Sequence, residues 1–310
     1  MIVVLCGGVG GSRFLRALAL IVPQDRLTAI INTGDDEWFH GLYVSPDPDI
    51  IIYALAGEVD DERGWGLRGD TFRWLDAMAR FGHETWFRVG DNDLATHLHR
   101  TRLLRQGWPL SRITAELANS FGVRATLLPM SDDRVRTLVA TDAGELAFQE
   151  YLVRRHAADI VRGVRYDGSE RAMAAPGVLD ALRSAEAIFI APSNPLGSVA
   201  PILALPGIRD AVASARVPRI AVSPIVAGRS LQPPAGDMMA GLGYPVDVTS
   251  VAKIYAGLTG TLVIDKLDAA ASNDVAAHGI TPLVAGTVMR NEASSRALAL
   301  AILDHAGLPY

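Results

Sequence analysis

A glycine-rich run directly behind an apolar stretch is the part of this chain best suited to chemistry. Residues 1–6 are apolar, the next seven read Gly-Gly-Val-Gly-Gly-Ser-Arg, and a helical pattern then begins at Phe14. This order predicts a strand, a tight turn and a helix N-terminus, where free N–H groups and the helix dipole attract anions. The expected phosphate-binding residues are Gly8, Gly10, Gly11, Ser12 and Arg13.

The glycine run departs from the two familiar phosphate-binding motifs. Read from Gly8 as the dinucleotide pattern G-x-G-x-x-G, it places Arg13 where the third glycine belongs. A Walker A loop needs Gly-Lys-Ser/Thr, which occurs nowhere in the chain. An ATPase of that type is excluded, and an ordinary glycine turn without a ligand remains an alternative.

Acidic residues cluster after the second predicted strand. They are Asp35, Asp36, Glu37, Asp47 and Asp49. Carboxylates facing a phosphate site are the ligands that Mg²⁺ takes together with phosphate oxygens and water. Asp47 is explained equally well as a helix cap and as a metal ligand. For Asp49 a ligand role is favoured, because Pro46 and Pro48 fix the turn near the expected crevice. The expected metal ligands and catalytic residues are Asp36 and Asp49.

The remaining polar residues support fewer chemistries. His97 and His99 are two residues apart and point to different sides of a helix, so a zinc site is not expected. Ser193 and Ser223 lack the G-x-S-x-G context of a nucleophile elbow. The turns that hold them suit contacts to a nucleotide, for which the expected residues are Thr33, Ser193, Asn194 and Ser223. Core packing explains Trp65, Trp74 and Trp86 at least as well as stacking on a ligand does.

Composition narrows the class of protein. Of the 310 residues 49% are hydrophobic and 20% are charged, which is enough for a full core. The net charge is −5 and the only lysines are Lys253 and Lys266, so no basic track for nucleic acid is present. The single cysteine, Cys6, is expected to be a small buried residue in a reducing compartment.

A cytoplasmic protein without a membrane segment is expected. The N-terminus lacks the basic region of a signal peptide and enters the first strand at once. The longest uncharged apolar tract, 187–208, contains prolines at 192, 195, 201 and 206. These prolines argue against a membrane helix.

Alternating apolar runs and helical patterns predict an α/β, Rossmann-like three-layer fold with a mostly parallel sheet. The expected strands are 2–5, 28–31, 187–190, 219–222 and 261–264. The turns after the first four are polar or glycine-rich, and ligands bind at that edge of such sheets, so these turns should meet at one crevice. The whole chain, 1–310, is expected to form one domain.

A block without this alternation, about 61–122, is rich in Trp and Arg and predicts an inserted helical cap. Its helices should start near Asp70, Asp91 and Pro109. Strands are expected at 123–128, 135–140 and 145–148, the last two joined as a hairpin through the turn 141–144. A closing helix is expected at 293–305.

Many separate segments resemble one known family, the 2-phospho-L-lactate transferases of coenzyme F-420 biosynthesis. They are GGVGGSRFL, NTGDDEW, SPDPD, RGWGLRGDTF, GDNDLATH, LLPMSDD, FQEYLVR, APSNPLGSVAPIL, LPGIR and SPIVAG, in the family's order over nearly the whole chain. The resemblance implies an enzyme that moves a phosphorylated three-carbon acid from a guanosine-diphosphate-linked donor to the terminal ribityl hydroxyl of the deazaflavin FO, releasing GMP. It also implies Mg²⁺ dependence, a Rossmann-like core and a homodimer.

The resemblance further implies that Asp49 and Arg88 contact the deazaflavin. The chain has arginine at position 88 where some relatives carry lysine, and Asn92 where relatives often carry arginine. Two other classes stay open: a nicotinamide-dependent oxidoreductase, and a binder of nucleotide or deazaflavin that does not turn over. The sequence does not distinguish phospholactate, phosphoenolpyruvate and phosphoglycerate as the donated acid.

Overall fold

A computed structural model describes residues 1–310. The strands are β1 (Ile2–Cys6), β2 (Leu27–Ile31), β3 (Glu37–Phe39), β4 (Leu42–Val44), β5 (Thr126–Pro129), β6 (Arg136–Thr141), β7 (Gly144–Ala147), β8 (Val161–Asp167), β9 (Ala187–Ile190), β10 (Arg219–Val222), β11 (Ile225–Val226), β12 (Arg229–Ser230), β13 (Thr261–Asp265) and β14 (Thr281–Ala285).

The α-helices are α1 (Gly8–Ala19), α2 (Pro46–Ala56), α3 (Arg73–Ala79), α4 (Asp93–Arg105), α5 (Leu110–Ser120), α6 (Val178–Ser184), α7 (Ala200–Leu203), α8 (Ile208–Ser214), α9 (Ala235–Gly241), α10 (Val248–Tyr255), α11 (Ser272–Ala276) and α12 (Glu292–Ala306). Short 3₁₀ turns lie at Gln24–Arg26 and Lys266–Ala271, and single π-helical turns at Glu150–Arg154 and Pro195–Val199.

Seven parallel strands form the central sheet, in the order β14-β13-β10-β9-β1-β2-β5. Side chains along β1 alternate between two large buried clusters, with Val4 on one face and Val3 and Leu5 on the other. Helices therefore cover both faces, which is why these strands are continuously apolar. The predicted α/β three-layer fold is confirmed.

The chain reverses its direction of travel across the sheet beside β1. It proceeds from β1 to β2 and β5 on one side, and later from β9 to β10, β13 and β14 on the other. The crevice at such a switch point, outside the carboxyl ends of the two strands, is where open α/β sheets bind ligands. Here it lies between the turn after β1 and the turn after β9.

Two smaller sheets and the helical block flank this crevice. The predicted hairpin of β6 and β7 is present, and β8 extends it to three antiparallel strands. Three helices fill the block 61–122. Leu103, Ile113 and Leu117, from its second half, belong to the buried cluster that contains Val4 of β1. The second half of this block therefore belongs to the helical layer over one face of the sheet.

Strands β8 and β14 and the hairpins β3–β4 and β11–β12 were not predicted from the sequence, and β5 begins a few residues later than predicted. The edge strand β14 has partly exposed residues, so it lacks the continuous apolar signal of the central strands. No single helix is long and apolar enough to cross a membrane; only Pro195–Leu203 and Ile208–Ser214, taken as a pair bent by 93°, have the length and composition for it.

We predict that Gly11→Ala destabilises the fold by about 1–3 kcal/mol, the usual cost of overpacking a core. A Cβ atom at Gly11 would lie 2.9 Å from the Cβ of Cys6 and 3.0 Å from Oγ of Ser193. Gly260→Ala is the matched control, because the nearest atom to its added Cβ is 3.9 Å away. Urea unfolding measures both variants, and equal stabilities would contradict the packing argument.

Candidate active site

The glycine turn packs directly against the turn that follows β9. Helix α1 begins at Gly8, whose φ of +63° favours glycine. A Cβ atom at Gly10 would collide with the carbonyl oxygen of Pro192, and Gly11 lies against β1. The glycines at 10 and 11 therefore allow the start of α1 to approach the switch point closely. Ser12 is buried, and its hydroxyl donates to the carbonyl of Val9 at 3.0 Å.

Ser193 joins the two turns through its hydroxyl. Its Oγ donates to the carbonyl of Gly7 at 2.7 Å and accepts from the Gly7 amide at 3.1 Å. The next residue, Asn194, accepts from the amides of Leu196 and Gly197 and so caps the π-helical turn. In this structure both side chains hold backbone in place at the positions where nucleotide contacts were expected.

A cavity of about 240 Å³ opens between these turns. Its walls come from the glycine turn, the turn after β9, the end of the β6–β7 hairpin, and the segments 231–235 and 288–289. Gly8, Gly10, Ser193 and Asn194 all line it, as predicted for one crevice. Arg13 also lines it, with an exposed side chain that makes no ion pair.

Two carboxylates, Asp35 and Asp47, line the same cavity. The side-chain amide of Asn32, which is fully buried, donates to Asp35 and also to Asp47 Oδ2, the latter at 2.9 Å. The other oxygen of Asp35 accepts from Gln149 Nε2 at 3.2 Å. Asn32 thus holds the two acids side by side, and both side chains are buried.

Burial makes these two acids hard to ionise in the absence of a counter-charge. It raises the pKa of Asp35 well above its usual range, and the neighbouring charge of Asp47 raises it further. Burial raises the pKa of Asp47 to about 6, against hydrogen bonds from Asn32 and the Gly8 amide that lower it. A cation between them would relieve the repulsion and favour both ionised forms.

Asp36 and Asp49 are buried and do not line this cavity. Asp36 accepts from the Ser45 hydroxyl at 2.6 Å, and its other oxygen has no hydrogen-bond partner. Both oxygens of Asp49 accept from the guanidinium of Arg100, a side chain that is only 1% exposed. Neither residue of the predicted metal pair therefore faces the cavity at the glycine turn.

Arg100 ties α4 to the first turn of α2. Besides Asp49 it contacts Nδ1 of His97 at 3.2 Å. The other ring nitrogen of His97 lies 3.3 Å from Asp93 Oδ2, and Asp93 accepts from the Tyr53 hydroxyl at 2.6 Å. Burial raises the pKa of Asp49 while the positive charge of Arg100 lowers it.

The other predicted contacts do not line this cavity. Arg88 is exposed and its guanidinium lies 4.1 Å from the ring centre of Phe72. Ser223 is fully buried, and its hydroxyl exchanges hydrogen bonds with the backbone of Ile225. Thr33 is buried and its hydroxyl has no partner. Trp86 is in edge contact with Phe39, and Trp65 lies beside Phe72.

Comparisons with known proteins agree with this architecture. The family described as 2-phospho-L-lactate transferase CofD matches residues 2–285. The chain belongs to this 2-phospho-L-lactate transferase family.

Similar relatives cover almost the full length of the chain. A phosphoenolpyruvate transferase of Streptomyces griseus is 42% identical over 309 residues, covering 98% of this chain and 97% of the relative. A 2-phospho-L-lactate transferase of Methanococcoides burtonii is 36% identical over 302 residues, covering 97% and 98%. The chain is thus an enzyme of the transferase class, and these matches support a phospholactate- or phosphoenolpyruvate-type transferase of coenzyme F-420 biosynthesis.

A solved structure confirms the fold alone. A UPF0052 family protein from Bacillus halodurans superimposes with a TM-score of 0.68 at 17% identity, covering 97% of this chain and 98% of that protein. The three-layer arrangement is therefore shared at an identity too low to carry function.

Two groups of buried side chains in this transferase could hold a hard cation such as Mg²⁺, and they differ in how well they fit it. Asp49, Asp93 and His97 bring ligand atoms within 4.8 Å of one another, but the Arg100 guanidinium already occupies both oxygens of Asp49. Asp35 and Asp47 present carboxylates to the cavity, and neither is paired with an arginine or lysine. Oxygen-only ligands beside a phosphate-binding turn suit Mg²⁺. The pair Asp35 and Asp47 therefore fits the ion.

Sequence analysis overlooked Asn32, Gln149 and Arg100. The first two lie in the segments NTGDDEW and FQEYLVR, which carry the family resemblance, and this was the available signal. Arg100, on α4, is 51 positions from Asp49 in the sequence. No local pattern therefore marks this pairing.

We predict that Arg100→Met lowers the free energy of unfolding of this transferase by about 3–5 kcal/mol, because it leaves the buried Asp49 charge without a partner. The control is Arg162→Met, which breaks the solvent-exposed pair with Asp142 and should leave the free energy of unfolding nearly unchanged. Denaturant titration compares the two. A loss at Arg100 no larger than the loss at Arg162 would contradict the role assigned to the buried pair.

Proposed function

We propose that this transferase moves a phosphorylated three-carbon acid from a guanosine-diphosphate-linked donor to the terminal ribityl hydroxyl of the deazaflavin FO, with release of GMP. The observation that carries the proposal is the meeting of a glycine turn and two carboxylates in one cavity at the switch point of the sheet. The family membership supplies the substrate class.

The glycine turn and Arg13 bind phosphate oxygens of the donor. Amides in the first turn of α1 that have no partner within the chain can donate to an anion, and the positive end of the helix dipole adds to the attraction. Arg13 makes no ion pair and lines the cavity, so its charge is available to a phosphoryl oxygen. Ser193 supports this site by fixing both the amide and the carbonyl of Gly7.

Asp35 and Asp47 would hold Mg²⁺, which would supply positive charge to neutralise the diphosphate. They are proposed in place of Asp49, whose oxygens accept from Arg100, and of Asp36, which accepts from Ser45 and does not line the cavity. The side-chain amide of Asn32 orients both acids, and that of Gln149 orients Asp35. No histidine or cysteine is required by the reaction.

The transfer exchanges one phosphorus–oxygen bond for another. The oxygen of the FO hydroxyl attacks the phosphorus that bears the acid, and the bond from that phosphorus to the GMP phosphate oxygen breaks. GMP leaves with the bonding electron pair, and the hydroxyl proton passes to solvent. The residues contribute alignment and charge stabilisation, which dominate enzymatic phosphoryl transfer.

The acceptor side of the proposal rests on the resemblance. Arg88 lies exposed over Phe72, where its guanidinium is free to contact the deazaflavin. Asp49 acts on the acceptor through the first turn of α2, which it anchors to Arg100. The homodimer and the cytoplasmic location remain predictions.

The direct test combines purified protein, FO, Mg²⁺ and one guanylylated acid at a time: phospholactate, phosphoenolpyruvate or phosphoglycerate. Mass spectrometry should detect GMP together with FO that carries the phosphorylated acid. The yield of this product should be far higher with one of the three donors than with the other two. Binding of FO and donor without any product would indicate a binder, and reduction of NAD would indicate an oxidoreductase.

We predict that Asp47→Asn lowers kcat/KM by about 10²-fold or more, the usual cost of removing one contact to developing charge. It should also abolish the rise in thermal stability that Mg²⁺ gives the wild-type protein in the absence of substrates. Asp36→Asn is the matched control, because Asp36 is equally buried but does not line the cavity, so this variant should leave that Mg²⁺ effect in place. If Asp36→Asn loses the Mg²⁺ effect and Asp47→Asn keeps it, the ion lies at the pair originally predicted.

A further inference from the structure

A second, larger depression adjoins the cavity at the same edge of the sheet. It is an open groove of about 1140 Å³ and shares Leu231 and Val288 with the cavity. Its floor and walls come from β12, the ends of β13 and β14, and the first half of α12. The groove thus continues the crevice past the carboxyl ends of β13 and β14, where ligands of such sheets lie.

Three cations from separate segments of the chain line this groove. Arg229 lies on β12, Lys266 directly follows β13, and Arg290 lies between β14 and α12. All three are exposed, and none makes an ion pair, although many arginines elsewhere on the surface are paired. The one acid in the groove, Asp265, is buried and already accepts from the amides of Leu267 and Thr287.

The cavity at the glycine turn is too small for the whole donor. Its volume of about 240 Å³ is below the range of about 300–1,000 Å³ usual for small-molecule sites, while the donor carries a nucleoside, two phosphoryl groups and an acid. The donor must therefore extend into adjoining space. The groove offers that space together with three positive charges.

We propose that the groove of Arg229, Lys266 and Arg290 is a second anion-binding subsite, which takes an anionic group of the donor that the glycine turn does not hold. That group is the nucleotide phosphate or the carboxylate of the acid, since both are recognised by guanidinium and ammonium groups. This inference rests on the proposed function and adds the residues that select a long, multiply charged donor.

The test replaces all three cations by glutamine, in Arg229→Gln, Lys266→Gln and Arg290→Gln combined. The matched control is the triple variant Arg124→Gln, Arg171→Gln and Arg209→Gln, exposed cations without ion pairs that lie outside the groove and the cavity. Calorimetry measures the binding of GDP, GMP, phosphoenolpyruvate and FO to each protein at two salt concentrations. Thermal unfolding verifies that both variants are folded.

The groove variant should bind either the guanine nucleotides or phosphoenolpyruvate about tenfold more weakly than wild type, with a smaller dependence on salt, while FO binding and the control stay unchanged. A loss confined to GMP and GDP assigns the nucleotide phosphate to the groove, and a loss confined to phosphoenolpyruvate assigns the acid. Unchanged affinity for all three anions overturns the subsite and leaves the proposed function standing. A wild-type protein that binds no guanine nucleotide overturns the proposed function itself.

Discussion

The burial of four carboxylates in one small volume is the constraint on which the site depends. Asp35, Asp36, Asp47 and Asp49 are all at least nine-tenths buried. An unpaired buried charge is strongly unfavourable, so each acid needs donors or a cation at close range. The fold supplies one fully buried cation, Arg100, to one pair, and only neutral amides, from Asn32 and Gln149, to the other. The pair without a protein cation is the pair that faces the ligand cavity.

Helix geometry explains how neighbouring acids acquire such different surroundings. Asp47 and Asp49 both lie in the first turn of α2, whose N-cap is Ser45. Residues two apart on a helix are rotated by about 200°, so they face opposite sides. Asp47 therefore faces the glycine turn and Asp49 faces α4. Neither side chain caps its own helix, which leaves both carboxylates free for contacts across elements.

The same geometry accounts for what the sequence could and could not predict. The apolar runs and the glycine turn predicted the central strands, the start of α1 and the meeting of the turns after β1 and β9. The acidic residues predicted a cation site at Asp36 and Asp49, but which of Asp47 and Asp49 faces the cavity depends on the orientation of α2. That choice is fixed by the position of Arg100 on α4, a contact that spans 51 positions and leaves no local pattern. Ser193 was predicted as a nucleotide contact from its turn, whereas its bonds to Gly7 span 186 positions and leave no local pattern.

Rigidity and charge are divided between different parts of the crevice. The floor is fixed by close contacts: α1 against β1 at Gly11, Ser193 against Gly7, and Asn32 against two acids. The outer charges, Arg13 and the three cations of the groove, are exposed and lack ion-pair partners. Phosphoryl transfer depends on holding the reacting phosphorus in line with the acceptor, so the rigid elements belong next to the reacting atoms. In the proposed function these long, exposed cations contact the rest of the donor, where their flexible side chains can adapt to its shape.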